Sequence, residues 1–315
     1  MALAATAPAL NPAQQAVIDQ LGATAGGPRP SFPPDLRDRL VDELEDALAP
    51  LVADRAPDDP LVVTKHDLAG AHGCQARWAA ESTRFDWSVP LARGTVAHKA
   101  VELSLHVRGE PTPLDLVDMA TSRLAEGDDS LADWLRTCSD VERAELRAQA
   151  NDRVTAFVEC WPPLQKRWTP VTESRARAEL CGGRVHLRGK VDLTLGRSVG
   201  AAGKVLVDLK TGGFSPDHLH DLRFYALLET LKVGVPPRRV ATYYLDAGRM
   251  APEDVTPGLL DAAVARTVAG VAAMLALRSG AAEPVRRPGP PCWWCPLRKR
   301  CPDGEVWMAN ADEMA

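Results

Sequence analysis

Leu36, Leu40, Leu44 and Leu48 recur at the spacing of one helical face, so Asp35 to Ala49 is expected to form an amphipathic helix. The preceding residues 1–34, rich in Ala, Pro and Gly, carry no such stripe and are expected to be flexible. Pro50 to Pro60 reads as a linker, so the main domain begins near Leu61. Helical periodicity returns from Gly94 to Val107, over about 113–126, and over about 140–160. It then gives way to short runs with strand character: Ser174 to Cys181, Arg184 to Leu195 and Lys204 to Lys210, with Cys181-Gly182-Gly183-Arg184 as a hairpin turn. A helix over about 216–233 follows, then the strand Arg239 to Asp246. The last helix opens at Thr256-Pro257, a cap followed by proline in the first turn, and ends near Arg278 before Gly280.

Helices, then three strands, a helix and another strand imply an α/β protein with a central mixed sheet flanked by helices. The expected division is an N-terminal segment 1–60 with one accessory helix, a main domain 61–305 and a C-terminal tail 306–315. At 315 residues and 45% hydrophobic content the chain can bury one large core. Met1 to Ala25 lacks a basic region followed by a compact apolar run, and no stretch of about eighteen apolar residues occurs, so the expectation is a cytoplasmic protein without a membrane partner.

The net charge of −5 argues against a nucleic-acid partner until its distribution is considered. Residues 1–60 hold four arginines against ten acids, and the remainder is close to neutral. Within it Arg286, Arg287, Arg298, Lys299 and Arg300 lie in a stretch without an acid, suited to phosphate contact or to a solvated tail. Seven cysteines, an odd number, are better read in a reducing compartment as metal ligands or buried thiols than as disulfides. Cys138, Cys160 and Cys181 stand in apolar surroundings and are expected to be buried. Cys292, Cys295 and Cys301, spaced C-x2-C-x5-C, suit a soft metal centre, with Cys74 as a fourth ligand; the spacing alone allows zinc or iron–sulfur.

The chemistry concentrates at strand ends. In Val207-Asp208-Leu209-Lys210 the side chains of Asp208 and Lys210 share a face. Asp192 on the neighbouring strand would bring two carboxylates and an ammonium around one point, a set suited to holding a hard divalent cation against a phosphodiester. An exposed strand-end pair is the plainer reading of Asp208 and Lys210 taken alone. His98 on the first main-domain helix is a candidate third ligand, and Glu102, one turn on, would either orient it or form a surface ion pair. Glu179 is a weaker candidate. Asp221 and Tyr225, one turn apart on the helix after the acidic strand, would line the cleft, though Tyr225 also fits the core beside Phe224, Leu227, Leu228 and Leu231.

In the order Gly94-x3-His98, Gly189-x2-Asp192, Asp208-Leu209-Lys210-Thr211-Gly212 and Tyr225, the chain resembles the PD-(D/E)XK nucleases of the RecB-like group that carry a four-cysteine iron–sulfur cluster. That group includes the AddB nuclease domain and CRISPR-associated adaptation nucleases, and the resemblance covers roughly 61–301. It implies a restriction-endonuclease-like core with cysteine segments joining the N- and C-terminal parts. It further implies that His98, Asp192, Asp208 and the carbonyl of Leu209 ligate Mg2+ or Mn2+, with Lys210 catalytic and Tyr225 supporting. By the same resemblance Cys74, Cys292, Cys295 and Cys301 would bind a [4Fe–4S] cluster, with Zn2+ as the alternative. Two positions depart from the pattern: Asp221 stands where Gln is usual, and Leu193 where many members have Arg.

The implied activity is metal-dependent hydrolysis of DNA, at ends (as an exonuclease) or on single strands, in repair or recombination. A helicase or another repair or CRISPR-adaptation protein would be the partner, since no G-x4-G-K-[ST] loop occurs. The alternatives are a catalytically weak nucleic-acid-binding accessory of the same fold and a zinc-stapled protein without nuclease activity.

Overall fold

The computed structural model describes residues 9–22, 29–81, 86–107 and 109–313. The chain opens with helices α1 (Pro12–Leu21) and α2 (Leu36–Leu48), strand β1 (Leu61–Val63), and helices α3 (Lys65–His72) and α4 (Gln75–Glu81). A helical layer follows: α5 (Val89–Ser104), α6 (Pro113–Ala125), α7 (Ser130–Thr137) and α8 (Asp140–Cys160). Then come β2 (Val171–Leu180), β3 (Val185–Leu195), β4 (Val205–Lys210), α9 (Asp217–Val233), β5 (Arg239–Tyr244), β6 (Arg249–Asp254), α10 (Pro257–Arg278) and α11 (Pro302–Glu313).

These strands form one mixed sheet with helices on both faces, the restriction-endonuclease-like arrangement. Strand β3 organises it. β2 runs antiparallel along one edge of β3 from Val171 to Leu180, so β1 and β4 must share the other edge. β1 pairs parallel with Val185 to Leu187, and β4 pairs antiparallel with Leu193 to Leu195. Between those short ladders the edge of β3 is open, and the candidate chemistry collects there. β4 continues in parallel register to β5, and β6 closes the sheet.

Two apolar clusters sandwich the sheet. One gathers the Leu36, Leu40, Leu44 and Leu48 stripe of α2 with α3, α9 and α10; the other gathers α5, α6 and α8. Each of those four leucines is at most 1% exposed, which stabilises the docked helix by about 1.5–3 kcal/mol per side chain against an extended-chain reference. α10 is long and apolar enough to cross a membrane by length and composition, but it packs against α2, α3 and α9 with Leu260, Val264, Val271 and Met274 in the core.

Several elements differ from expectation for identifiable reasons. α1 forms inside the stretch expected to be flexible: Asn11 and Gln14 make a reciprocal capping box, and Asn11 Nδ2 donates to the Glu159 carbonyl at 2.8 Å. α5 begins at Val89 rather than Gly94, with Ser88 at its cap and proline in its first turn. Gly94 sits inside the helix because a Cβ there would lie 3.1 Å from Thr211 Oγ1. Proline is tolerated in β6 because that strand is the sheet edge. Residues 306–313, expected as tail, belong to α11. The hairpin turn takes positive φ at Cys181, Gly182 and Gly183. Of the three cysteines expected to be buried, Cys181 is, whereas Cys138 and Cys160 are half-buried.

Candidate active site

β3 and β4 are paired only as far as Leu193 and Val207, and beyond that point they part. Leu209 N–H would lose its ladder partner there, and a buried N–H needs another acceptor. Asp192 supplies it: its Oδ2 accepts from Leu209 N at 2.7 Å. The other carboxylate oxygen, Oδ1, lies 3.3 Å from His98 Nδ1, which α5 brings in from the opposite layer. Burial works against charge on His98, but the neighbouring Asp192 outweighs it and raises the imidazole above its ordinary pKa. Side-chain alternation along β3 slips at this residue, since Val191 belongs to one core cluster and Leu193 to the other. Directly across the register, Glu173 takes a left-handed φ of 53°, a strained conformation for a non-glycine residue in a strand.

Asp208 lies on the face of β4 toward α3 and α9 and is 1% exposed. Lys65 Nζ, from the first turn of α3, donates to its Oδ1 at 2.9 Å, and Lys210 Nζ lies 2.8 Å from its Oδ2. The second contact is ionic and off the hydrogen-bond direction, so Oδ2 accepts no hydrogen bond although it is buried. Burial alone would raise the Asp208 pKa; Lys65 and Lys210 more than offset it and hold the carboxyl at about 2. Lys65 shows the complement: burial disfavours its charge, yet Asp208, then Tyr225 and Asp221, push its pKa well above the usual value. Asp221 Oδ2 binds Lys210 at 2.9 Å and lies 3.5 Å from Lys65. Three carboxylates, two ammoniums and one imidazole thus form a contiguous cluster.

Tyr225 is buried below this cluster, its ring centroid 5.0 Å from Lys65 Nζ in a cation–π contact, and burial raises its phenol pKa so that it keeps its proton. It can come so near only because residue 189 has no side chain: a Cβ on Gly189 would sit 2.7 Å from Tyr225 Cε1. The turn after Lys210 is fixed by Arg93, which donates to the Thr211 carbonyl at 2.9 Å and to Gln149 at 3.0 Å.

The structure therefore brings His98, Asp192, Asp208, Leu209, Lys210, Asp221 and Tyr225 together. It does not bring Glu102 to His98; both Glu102 oxygens take Lys99 Nζ at 2.9 Å. Glu179 points away, paired with Arg177 at 2.7 Å and 55% exposed. Lys65 is the member that the sequence does not reveal; Glu173, ion-paired with Lys190, stands near His98 but outside the cluster. Lys65 reaches Asp208 across 143 residues and follows a three-residue strand, so no local pattern marks it.

Cys74, Cys292, Cys295 and Cys301 all line one cavity of about 540 Å3, bounded by the α3–α4 junction and the segment after α10. A Cβ on Gly304 would lie 3.5 Å from Cys292 Sγ and 3.6 Å from Cys301 Sγ, so the absent side chain leaves room between these thiols. Burial raises the Cys295 thiol pKa, an effect opposed by the Leu297 N–H and Arg77 and reinforced by Cys74 and Cys292. The two segments are laced directly: Ala76 N–H donates to the Val285 carbonyl at 3.3 Å, and Val285 N–H to Gln75 Oε1 at 3.0 Å.

The sequence model of the PD-(D/E)XK nuclease superfamily matches residues 65–302, well over half of the chain. The chain belongs to the PD-(D/E)XK nuclease superfamily. No curated protein matches it. Among solved structures it is similar to SSO0001, with 14% identity over 84% of this chain and 95% of the other and a TM-score of 0.36. It is also similar to a candidate exonuclease from Eubacterium rectale, with 14% identity over 79% and 88% of the two chains and a TM-score of 0.46. The assignment rests on the superfamily match, not on these likenesses. A hydrolytic nuclease acting on DNA is what membership implies.

PD-(D/E)XK nucleases generally use Mg2+ or Mn2+. Among the described residues no group of three or more His, Cys, Asp or Glu side chains is gathered closely enough to hold a metal ion. The donors nonetheless fit such an ion in kind: carboxylates and a carbonyl are hard oxygen ligands, and Asp208 Oδ2 is buried with only the Lys210 ammonium against it. The four thiols, in contrast, are soft donors suited to zinc or an iron–sulfur cluster.

Proposed function

We propose that the protein is a divalent-metal-dependent deoxyribonuclease that hydrolyses phosphodiesters at DNA ends or on single strands, in the cytoplasm and in the service of repair or recombination. One observation carries this reading: Asp192 and the Asp208–Lys210 pair flank the point where β3 and β4 part, with Asp192 bound to the intervening Leu209 N–H and Lys210 held between Asp208 and Asp221. Asp192 Oδ1, Asp208 and the Leu209 carbonyl, with His98, would hold the ion. When bound, Mg2+ or Mn2+ would polarise the phosphate and lower the pKa of a water. Lys210, braced between Asp208 and Asp221, keeps its ammonium positioned to stabilise charge building on the phosphate oxygens. Lys65 would offset the carboxylates while no cation is bound, and Tyr225 holds Lys65 in place.

We further read Cys74, Cys292, Cys295 and Cys301 as the ligands of a [4Fe–4S] cluster that clasps the two ends of the domain, in the manner of the RecB-like group. Strand separation would then come from a helicase or another repair or CRISPR-adaptation protein. The deciding experiment incubates purified protein with Mg2+ or Mn2+ and end-labelled linear, circular and single-stranded DNA. Degradation is expected, and Asp208→Ala and Lys210→Ala are expected to abolish it while melting cooperatively; unchanged activity in both variants would sink the assignment. Anaerobic purification reads the cysteine site: iron and a brown chromophore are expected, and a colourless, zinc-loaded protein would overturn the cluster.

A further inference from the structure

A second cavity, of about 230 Å3, opens between α3, α9 and α10 beside the acidic cluster, sharing Lys65 and Asp221 with it. That is less than the roughly 300–1,000 Å3 that whole small-molecule ligands fill, so it suits one group of a larger substrate. Arg266 lines it. Between Asp261 and Arg278, Arg266 is the lone charge on an otherwise apolar helix, and it is half-buried. Its guanidinium makes no hydrogen bond or ion pair among the described residues, and burial lowers its pKa against the opposing pull of Asp217 and Asp221. The neighbouring Arg223 differs, being held bidentately by Glu253 at 2.6 and 3.1 Å.

Keeping a guanidinium partly out of water without a partner is costly, and five fixed donors match a phosphate. The position of Arg266 is equally informative. It lines both this cavity and the cysteine-lined one, with Ala69, His72 and Asp217 shared between them, so a strand leaving the acidic cluster in this direction passes over it. We propose that Arg266 forms a phosphate subsite that grips the substrate strand next to the position of cleavage. This deepens the nuclease reading and rests on it for the identity of the strand. Arg266 takes no part in bond breaking; it fixes which phosphate lies over Asp208 and Lys210.

The test measures binding of a fluorescent single-stranded oligonucleotide in EDTA across a salt series, for wild type, Arg266→Gln and Arg266→Lys. Arg266→Gln should bind about tenfold more weakly, the value of one charged hydrogen-bonded contact, and its salt slope should fall by about 0.7, the loss of one phosphate contact. Arg266→Lys should recover the slope. Equal affinity and slope for Arg266→Gln and wild type would overturn the subsite, as would a lowered melting temperature with an unchanged slope, which marks a packing role. Strands ending in 5′-phosphate, 5′-hydroxyl or 3′-phosphate, and a circular strand, identify the phosphate: a defect confined to one phosphorylated end assigns a terminal phosphate, and a defect kept on the circle assigns an internal one. Because binding is read without metal or turnover, failure of the Asp208→Ala and Lys210→Ala tests would strike the nuclease reading and leave this result standing or falling by itself.

Discussion

Replacing Lys65 with methionine removes one of two ammoniums from a buried carboxylate while keeping the length of the side chain. In the wild type, Asp192, Asp208 and Asp221 face Lys65, Lys210 and a His98 whose pKa is raised, so positive charge offsets most of the negative. Lys65→Met leaves one more negative charge uncompensated, with Asp208 Oδ1 stripped of its 2.9 Å donor. Breaking a buried ion pair from one side costs about 3–5 kcal/mol when the remaining charge is left alone. Here Lys210 still holds Oδ2, so the loss should fall at or below the lower end, about 2–3 kcal/mol, or roughly 3–5 °C in melting temperature for a chain of this length. Urea unfolding in EDTA measures it. The same excess charge should make the variant bind Mn2+ more tightly, so added Mn2+ should raise its melting temperature more than that of the wild type. Equal stability in EDTA, or equal stabilisation by Mn2+, would refute the charge balance drawn for this cluster.

Three further outcomes follow from the geometry. Gly189→Ala puts a Cβ 2.7 Å from Tyr225 and 2.8 Å from Leu228; a loss of about 1–3 kcal/mol is expected by urea unfolding, with a larger proportional loss of nuclease activity as α9 is pushed from β3. Asp208 has a depressed pKa of about 2 against about 3.9 unfolded, so its contribution is whole above about pH 4 and disappears as the pH falls through about 2. The metal-free wild type should therefore lose its advantage over Asp208→Asn, on the order of 2 kcal/mol, across that window, and a gap independent of pH would contradict the assignment. Cys74→Ser should lower bound metal per protein and the melting temperature together, since it breaks the link between the α3–α4 junction and the final segment; metal analysis showing full occupancy would remove Cys74 from the set.

Much of the architecture was legible because the core is periodic. The stripe of α2, the bounds of α8 and the strands β3 to β5 follow from burial on one face or two. Of the elements that escaped, α1, β1 and β6 lack that signature. α1 buries only Val17 and Leu21 and owes its place to capping and docking, β1 is three residues long, and β6 buries only Met250 and carries a proline at an edge. At the site, Asp192, Asp208 and Lys210 were readable because strand period puts side chains two apart on one face. Lys65 was not, because its partner is set by sheet closure, and of the two readings of Glu102 the ion pair holds, because a lysine three residues away outcompetes an imidazole one turn away. Asp221, a departure from the usual pattern, proves to anchor both lysines rather than to stand apart from them.

The open edge of β3 has a consequence for when the protein can act. Its filling draws on Lys65, His98, Asp192, Asp208 and Asp221, with Lys65 and Asp208 separated by 143 residues. Long-range parallel pairing such as β1 on β3 comes late, because loop closure must precede the contacts that reward it. No contiguous piece shorter than 65–221 contains the cluster. A nascent, truncated or partly unfolded chain is therefore without it, and the same topology that slows folding withholds the assembled cleft until folding is complete.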